Sequence, residues 1–277
     1  MSLLKAPAYP IRIKLYETLP KWMVMLLDGR RALIAGATSE IGQETARVFT
    51  EHGARVALVA RRANLLRSLA SEIKSRGGEA IPIPADLTRP GEAAKVVKAA
   101  AQKLGGLDVL VSFVGARLDP STWYKGIDKV DVHTIRGIMD ADFFTALSLA
   151  QAAIPIMSRR GGVMIFTSST PALTWYTHGA AYSLAKLTLV GLMKSIAAEY
   201  NRLRIRTYAL ALGNIKTSAT YGRLKPSERR MLAQESPMKR WGEPREVATV
   251  ALALASDLFS YVNGQVIVVD GGTVMLS

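Results

Sequence analysis

Short apolar runs alternate with amphipathic stretches along nearly the whole chain. Arg31 to Ala35 (RALIA), Arg55 to Ala60, Leu107 to Ser112, Val163 to Phe166 and Arg204 to Ala211 are dense in Val, Leu, Ile and Ala. Runs that short and that apolar read as strands buried on both faces. A run ending at Asp86-Leu87 and another from Gly264 to Asp270 bring the count to about seven. Between them lie helical patterns: to about His52, to Arg76, from Pro90 to Gly105, a long one ending near Arg160, one from Thr177 to Tyr200, and one opened by Pro244 and Glu246. Gly53, Gly77-Gly78 and Gly105-Gly106 stop three of them, as glycine does just past a last helical turn. Strand and helix in alternation predict an α/β fold: a doubly wound parallel sheet with helices on both faces. No repeat, low-complexity tract or linker interrupts the pattern. It predicts a single domain over residues 28–277 with an N-terminal extension, 1–27.

The turns carry more information than the strands. Gly36-Ala-Thr-Ser-Glu-Ile-Gly42 lies between a strand and a helix, and a second strand follows within thirty residues. That is a Rossmann-like βαβ unit, whose helix N-terminus can hold a pyrophosphate. The second strand ends in Ala60-Arg61-Arg62. An acidic residue there would bind a ribose 2′-hydroxyl, whereas arginine matches a 2′-phosphate.

Further along, STPALTWYTHGAAYSLAK runs from Ser169 to Lys186. Tyr182 and Lys186 are four apart, so on a helix they share one face. An ammonium that close favours phenolate over phenol by opposite-charge attraction. With Ser169 as an oriented hydroxyl, the set is able to trade a proton with an alcohol or carbonyl oxygen.

Together, the glycine turn and the Ser169, Tyr182, Lys186 spacing resemble the short-chain dehydrogenase/reductase family, from about Asp28 to the C-terminus. The resemblance implies catalysis by Ser169, Tyr182 and Lys186. It implies a dinucleotide held by Gly36, Thr38, Ser39, Ile41 and Gly42, by Arg61 and Arg62, and by Asp86 and Leu87 near the adenine. Gly115, Tyr182, Lys186, Gly213, Ile215 and Thr217 complete that set. The chain departs from the family pattern in places. Ala35 and Glu40 replace a Thr and the middle Gly of the phosphate loop, and a carboxylate at 40 must point away from phosphates. Ser112-Phe113-Val114-Gly115 stands for Asn-Asn-Ala-Gly, and Leu212 for the Pro before Gly213. The family's helix asparagine, which holds a proton-relay water against the Lys, is missing. Alignment puts Asp142 in its place, so the relay is altered, replaced by Asp142, or absent.

Composition narrows the classes. The chain has 277 residues, enough for a sizeable core, and no cysteine, which excludes disulfides and thiolate metal sites. The three histidines (His52, His133, His178) have no metal-ligand spacing, so no metal is expected. The formal charge is +14, which fits either an acidic partner or a solvated basic surface. The basic residues are scattered and carry no nucleic-acid-binding signature, so no nucleic acid is expected. No apolar run is long enough to span a bilayer. Basic residues at 5, 12, 14 and 21 precede a patch, Trp22 to Leu27, that is short for a signal peptide. The patch packs on the domain or a neighbouring subunit, or lies on a membrane surface; a cytoplasmic location is expected.

The resulting expectation is an NADP(H)-dependent carbonyl reductase or alcohol dehydrogenase acting on a small molecule. Arg117, Trp123, Trp175, Tyr176, His178 and Tyr221 are candidates for its pocket, and the turn-rich segment 218–237 for its lid. One alternative is 3-oxoacyl-carrier-protein reduction, with Arg159, Arg160 and Arg202 meeting an acidic carrier. Another is a non-catalytic dinucleotide-binding sensor or scaffold. The family's enoyl-reductase branch uses a wider Tyr-to-Lys spacing and is disfavoured. The long helices 140–160 and 177–200 carry more apolar positions than one sheet face needs; the resemblance implies a homo-oligomer, a tetramer or dimer, that buries them.

Overall fold

The computed structural model describes residues 25–116, 120–174 and 177–275. The sequence-based readings of residues 1–24 and of Arg117, Trp175 and Tyr176 lie outside these described residues.

The first half alternates as expected: β1 (Arg31–Ala35), α1 (Glu40–Glu51), β2 (Arg55–Ala60), α2 (Ala63–Ser75), β3 (Glu79–Pro84), α3 (Glu92–Leu104) and β4 (Val109–Ser112). The second half contains α4 (Pro120–Trp123), α5 (Val132–Met139), a π-helical turn (Asp140–Phe144), α6 (Thr145–Met157), β5 (Gly162–Ser169) and α7 (Ala180–Tyr200). It closes with β6 (Ile205–Leu212), α8 (Pro226–Ala233), α9 (Pro244–Ala255) and β7 (Gln265–Val269).

The seven strands form one sheet in the order β3-β2-β1-β4-β5-β6-β7, and all six pairings are parallel. Strand period decides what each face buries. Ile34, Leu58, Val111, Ile165 and Leu210 point to one side and pack with Val48, Phe49, Leu66, Ile73 and Val247, from α1, α2 and α9. Leu33, Val59, Leu110, Phe166 and Ala209 point to the other and pack with Val97, Leu104, Leu149, Ala153 and Met193, from α3, α6 and α7. Leu27 is fully buried in the first of these clusters, and its N–H donates to the His52 carbonyl. Proline-bearing β3 (EAIPIP) lies at the sheet edge, where a missing N–H is tolerated.

The structure refines the reading of the second half. The segment between β4 and the long helix contains α4 and α5. Asp131 caps α5 by accepting a 2.7 Å bond from the Thr134 N–H, a start signal placed before Ile135 and Ile138. The long helix read to about Arg160 is not one continuous α-helix. It begins as the π-turn, continuous with α5 before it, passes into α6 and ends at Met157. Within the turn-rich segment 218–237 lies α8, and the Glu228 carboxylate there accepts from the Lys225 N–H at 2.6 Å.

Strand order reverses direction between β1 and β4. The carboxyl ends of the strands at such a switch point open a crevice, and Gly36 and Gly115 leave the sheet on its two sides.

Candidate active site

Ser169 ends β5 and is buried, and its Oγ donates to the Leu212 carbonyl at 3.2 Å. β5 and β6 run in register there, Ser169 against Leu212. Gly179, in the left-handed region at φ +77°, turns the chain into α7. Tyr182 and Lys186 follow on successive turns, and the Lys186 Nζ lies 5.5 Å from the Tyr182 ring centroid. Lys186 is only 5% exposed. Its Nζ donates to Asp142 Oδ1 at 2.6 Å and to the Thr167 carbonyl at 3.2 Å. Burial pulls the Lys186 ammonium down. The attraction of the Tyr182 oxygen and of Asp142 outweighs burial and holds Lys186 above the ordinary lysine range.

Asp142 is 1% exposed and sits in the π-turn. π-turns recur at functional sites because the extra residue turns a side chain out of α-helical phase. Besides Lys186, the carboxylate accepts from the Ala116 N–H at 3.2 Å. It therefore touches the lysine directly, not through water. A buried charge needs a partner, and each of these two supplies the other's.

Sequence reasoning missed the supports of this pair. Ser168 is buried, and its hydroxyl donates to the Lys186 carbonyl at 2.9 Å, fixing α7 to β5. Thr167 donates to the Ser112 carbonyl at 2.8 Å, tying β5 to β4 beneath the ammonium. Neither carries a motif; only the adjoining Ser169 signals them. Gly115 also serves the ion pair. A Cβ there would stand 2.5 Å from Asp142 Oδ1 and 3.0 Å from Lys186 Nζ. The absent side chain makes room for the ion pair.

Trp123 forms a wall of the site, its ring 5.7 Å from that of Tyr182. Its carbonyl accepts from the Gly179 N–H at 2.8 Å. His178 meets Tyr124 edge-on at 5.2 Å, while Tyr221 packs on Trp241 and beneath Arg229.

On the other side of the crevice, Ser39 caps α1. Its hydroxyl accepts from the Gly42 N–H at 3.1 Å and donates to the Gly36 carbonyl at 2.9 Å. Gly36 takes φ +78°, and a Cβ at Gly42 would stand 2.9 Å from the Ala37 Cα. Thr38 is buried, and its carbonyl accepts from Arg62 Nη2 at 2.7 Å. Ile41 is partly buried against the core beside α1. Arg61 is exposed and faces Asp86. The Thr88 hydroxyl, then its N–H and the charges of Arg61 and Arg89, hold the Asp86 carboxyl below its usual range. Leu87 is buried.

Glu40 turns toward the far wall, its Oε1 accepting from the Ser218 N–H at 2.9 Å. Burial pushes this carboxyl up, but the Ser218 bonds and the charge of Arg62 outweigh it and hold Glu40 below its usual range. Beyond β6, Gly213 donates to the Val269 carbonyl at 3.0 Å, and a Cβ on it would meet the Asp270 Cβ at 2.5 Å. Ile215 is buried and bridges to Gly242. Thr217 Oγ1 pairs with Thr220 Oγ1 at 2.9 Å.

These residues fit a dinucleotide. A capped helix N-terminus faces the crevice, two arginines replace an acid at the end of β2, and the one carboxylate of the loop is engaged elsewhere. Among the described residues no group of three or more His, Cys, Asp or Glu could hold a metal ion, and no helix is long and apolar enough to cross a membrane.

A family model described as Enoyl-(Acyl carrier protein) reductase matches residues 36–274. The chain is 33% identical over 257 residues to an A-factor type gamma-butyrolactone 1′-reductase (1S-forming) of Streptomyces virginiae, covering 91% of this chain and 98% of that one. It is 32% identical over 252 residues to the 3-oxoacyl-[acyl-carrier-protein] reductase of Thermotoga maritima, covering 91% and 100%. Among solved structures, a 7 alpha-hydroxysteroid dehydrogenase complexed with NADH and 7-oxo glycochenodeoxycholic acid is similar at a TM-score of 0.85. It is 29% identical, and the likeness covers 92% of this chain and 98% of that one.

Proposed function

Because this chain belongs to the short-chain dehydrogenase/reductase family, whose oxidoreductases use a nicotinamide dinucleotide, we propose that it interconverts a small-molecule carbonyl and its alcohol with NADP(H). The observation that carries this reading is the buried Lys186 ammonium beneath the Tyr182 ring, on the same crevice wall as Ser169. When bound, the nicotinamide supplies or accepts the hydride. The chain's residues do the proton chemistry. Tyr182 gives its phenolic proton to the carbonyl oxygen in reduction and takes one back in oxidation. Ser169 turns its hydroxyl from the Leu212 carbonyl to the substrate oxygen and polarises it. Lys186 stabilises the phenolate left on Tyr182, and Asp142 keeps that lysine charged and in place.

Arg61 and Arg62 support NADP(H) over NAD(H). Arg62 is spent partly on the Thr38 carbonyl, so Arg61 is the better candidate for a 2′-phosphate. The exposed Phe144, Leu184 and Leu187, together with the groove of about 510 Å³ between α6 and α7, support a homo-oligomer. A cytoplasmic location remains part of the proposal.

Carrier-protein substrates are the second reading, favoured by the Thermotoga relative. The arginines expected to serve it weaken it. Arg159, Arg160 and Arg202 precede β5 and β6, at the amino ends of the strands opposite Ser169, about 26 Å away along an eight-residue strand.

A panel of ketones, aldehydes and an acyl-carrier thioester, followed by NADPH absorbance, tests the activity. Tyr182→Phe is expected to lose about 10²–10⁴-fold in turnover while still binding NADPH. Arg61→Ala is expected to weaken NADPH by about 1.5–3 kcal/mol and leave NADH nearly unchanged. Absence of any Tyr182-dependent turnover favours the sensor reading, and equal binding of both dinucleotides by the unmodified protein removes the NADP(H) assignment.

A further inference from the structure

Glu40 stands where the family pattern has a glycine, and a carboxylate beside a diphosphate is a like-charge neighbour. Here it has a defined partner instead. Its Oε1 accepts the Ser218 N–H at 2.9 Å, across 178 positions of the chain. Glu40 is the first residue of α1, so it belongs to the phosphate-loop wall of the crevice. Ser218 follows Thr217 and begins the arm that contains α8, so it belongs to the wall built from the end of β6.

The arm's other bonds stay on its own side. Gly222 N–H donates to the Thr217 carbonyl, and Arg229 Nε to the Tyr221 carbonyl. Asn214 reaches the Leu232 carbonyl and Glu235, and Trp241 donates to the Arg229 carbonyl. Among the described residues every hydrogen bond between residues 36–42 and the segment 217–237 is one that Glu40 makes with Ser218. One side chain therefore links the two walls between which a dinucleotide would lie.

We propose that Glu40 is a positioning residue that clasps the 218–237 arm to the phosphate loop and slows the escape of a bound dinucleotide. This rests on the dinucleotide reading above. A glycine at position 40 has no side chain with which to make the bond. The clasp depends on an acceptor oxygen at the right reach, which glutamine keeps and alanine lacks. Charge and clasp are thus separable by two substitutions at one position.

The test compares the unmodified protein with Glu40→Gln and Glu40→Ala. Amide hydrogen exchange in peptides spanning residues 216–224 is read without cofactor, and NADPH dissociation is read by stopped-flow fluorescence. In Glu40→Ala the Ser218 amide is expected to lose protection and NADPH to leave about tenfold faster, the scale of one partly exposed charge-assisted bond. Glu40→Gln is expected to restore both. Unchanged exchange at Ser218 in Glu40→Ala overturns the clasp. So do equal changes in dissociation for both variants, which would make the effect one of charge. If the unmodified protein binds neither NADPH nor NADH while Ser218 responds as expected, the dinucleotide reading fails and retention fails with it.

Discussion

Asp142 makes a neutral position of the family pattern ionic, and its removal has two separable effects. Asp142→Ala leaves the Lys186 cation buried without its acid, at an expected cost of about 3–5 kcal/mol. Asp142→Asn keeps an acceptor oxygen, and about 1–2 kcal/mol is expected; denaturant melts measure both. Lys186 lies above its ordinary value in the folded protein. Its contribution is therefore complete below that ordinary value and is lost as pH rises through the folded one. Losing the carboxylate removes part of what holds it up. Asp142→Asn should bring the alkaline decline of activity to lower pH without abolishing turnover; an unchanged pH–rate profile, with cofactor saturating and chemistry limiting, excludes this role. At this scale the sequence was informative where spacing encodes chemistry. Tyr182 and Lys186 share a helix face by arithmetic, and Asp142 follows from alignment. Ser168 and Thr167 were silent because their work is done through backbone carbonyls, to which any sequence is blind. Gly115 was visible as a glycine, but its place beside the ion pair was not, since the direction of its missing Cβ is a property of three dimensions.

Among the elements, strands were the most legible, because a parallel sheet covered on both faces demands uninterrupted apolar runs. The helices between β4 and β5 were the least legible. A π-turn inserts one residue against the helical period, so the apolar pattern on its two sides falls out of phase. The amino ends of β1 and β4 are pinned by an ion pair whose strength is testable. Arg31 Nε and Nη2 hold the Asp108 carboxylate at 2.7 and 2.6 Å, and the Arg31 N–H donates to it at 2.9 Å. Burial pushes Asp108 up, but these bonds outweigh it and hold the carboxyl below its usual 3.8. The contribution is therefore present above that pH and lost as pH falls below it. Asp108→Asn is expected to cost about 2 kcal/mol near pH 7. The gap to the unmodified protein should narrow below about pH 3.8, and a gap constant across pH in urea melts refutes the assignment.

For the whole molecule, burial is nearly complete on the inner strands β2, β1, β4, β5 and β6 and incomplete on α7, where Leu184 and Leu187 are 47% and 48% exposed. Phe144, just before α6, is 50% exposed. A second copy covering this face would complete it, and sedimentation at micromolar concentration is expected to show a dimer or tetramer; a monomer rejects that. Overall architecture was readable from the order of apolar runs alone. The face left uncovered was less so, because a helix between sheet and solvent and one between sheet and subunit differ in few residues. The crevice itself is assembled from the turns after β1, β2, β4, β5 and β6, with Glu40 meeting Ser218 and Asp142 meeting Lys186 across long stretches of chain. In kinetic terms such a site is a late product. Its loops must close, at an entropic cost that grows with their length, before any of its contacts returns stability. Helices form locally and early. A nascent chain released before β6 emerges would thus carry the nucleotide loop, the tyrosine and the lysine, yet lack the wall that makes them one site.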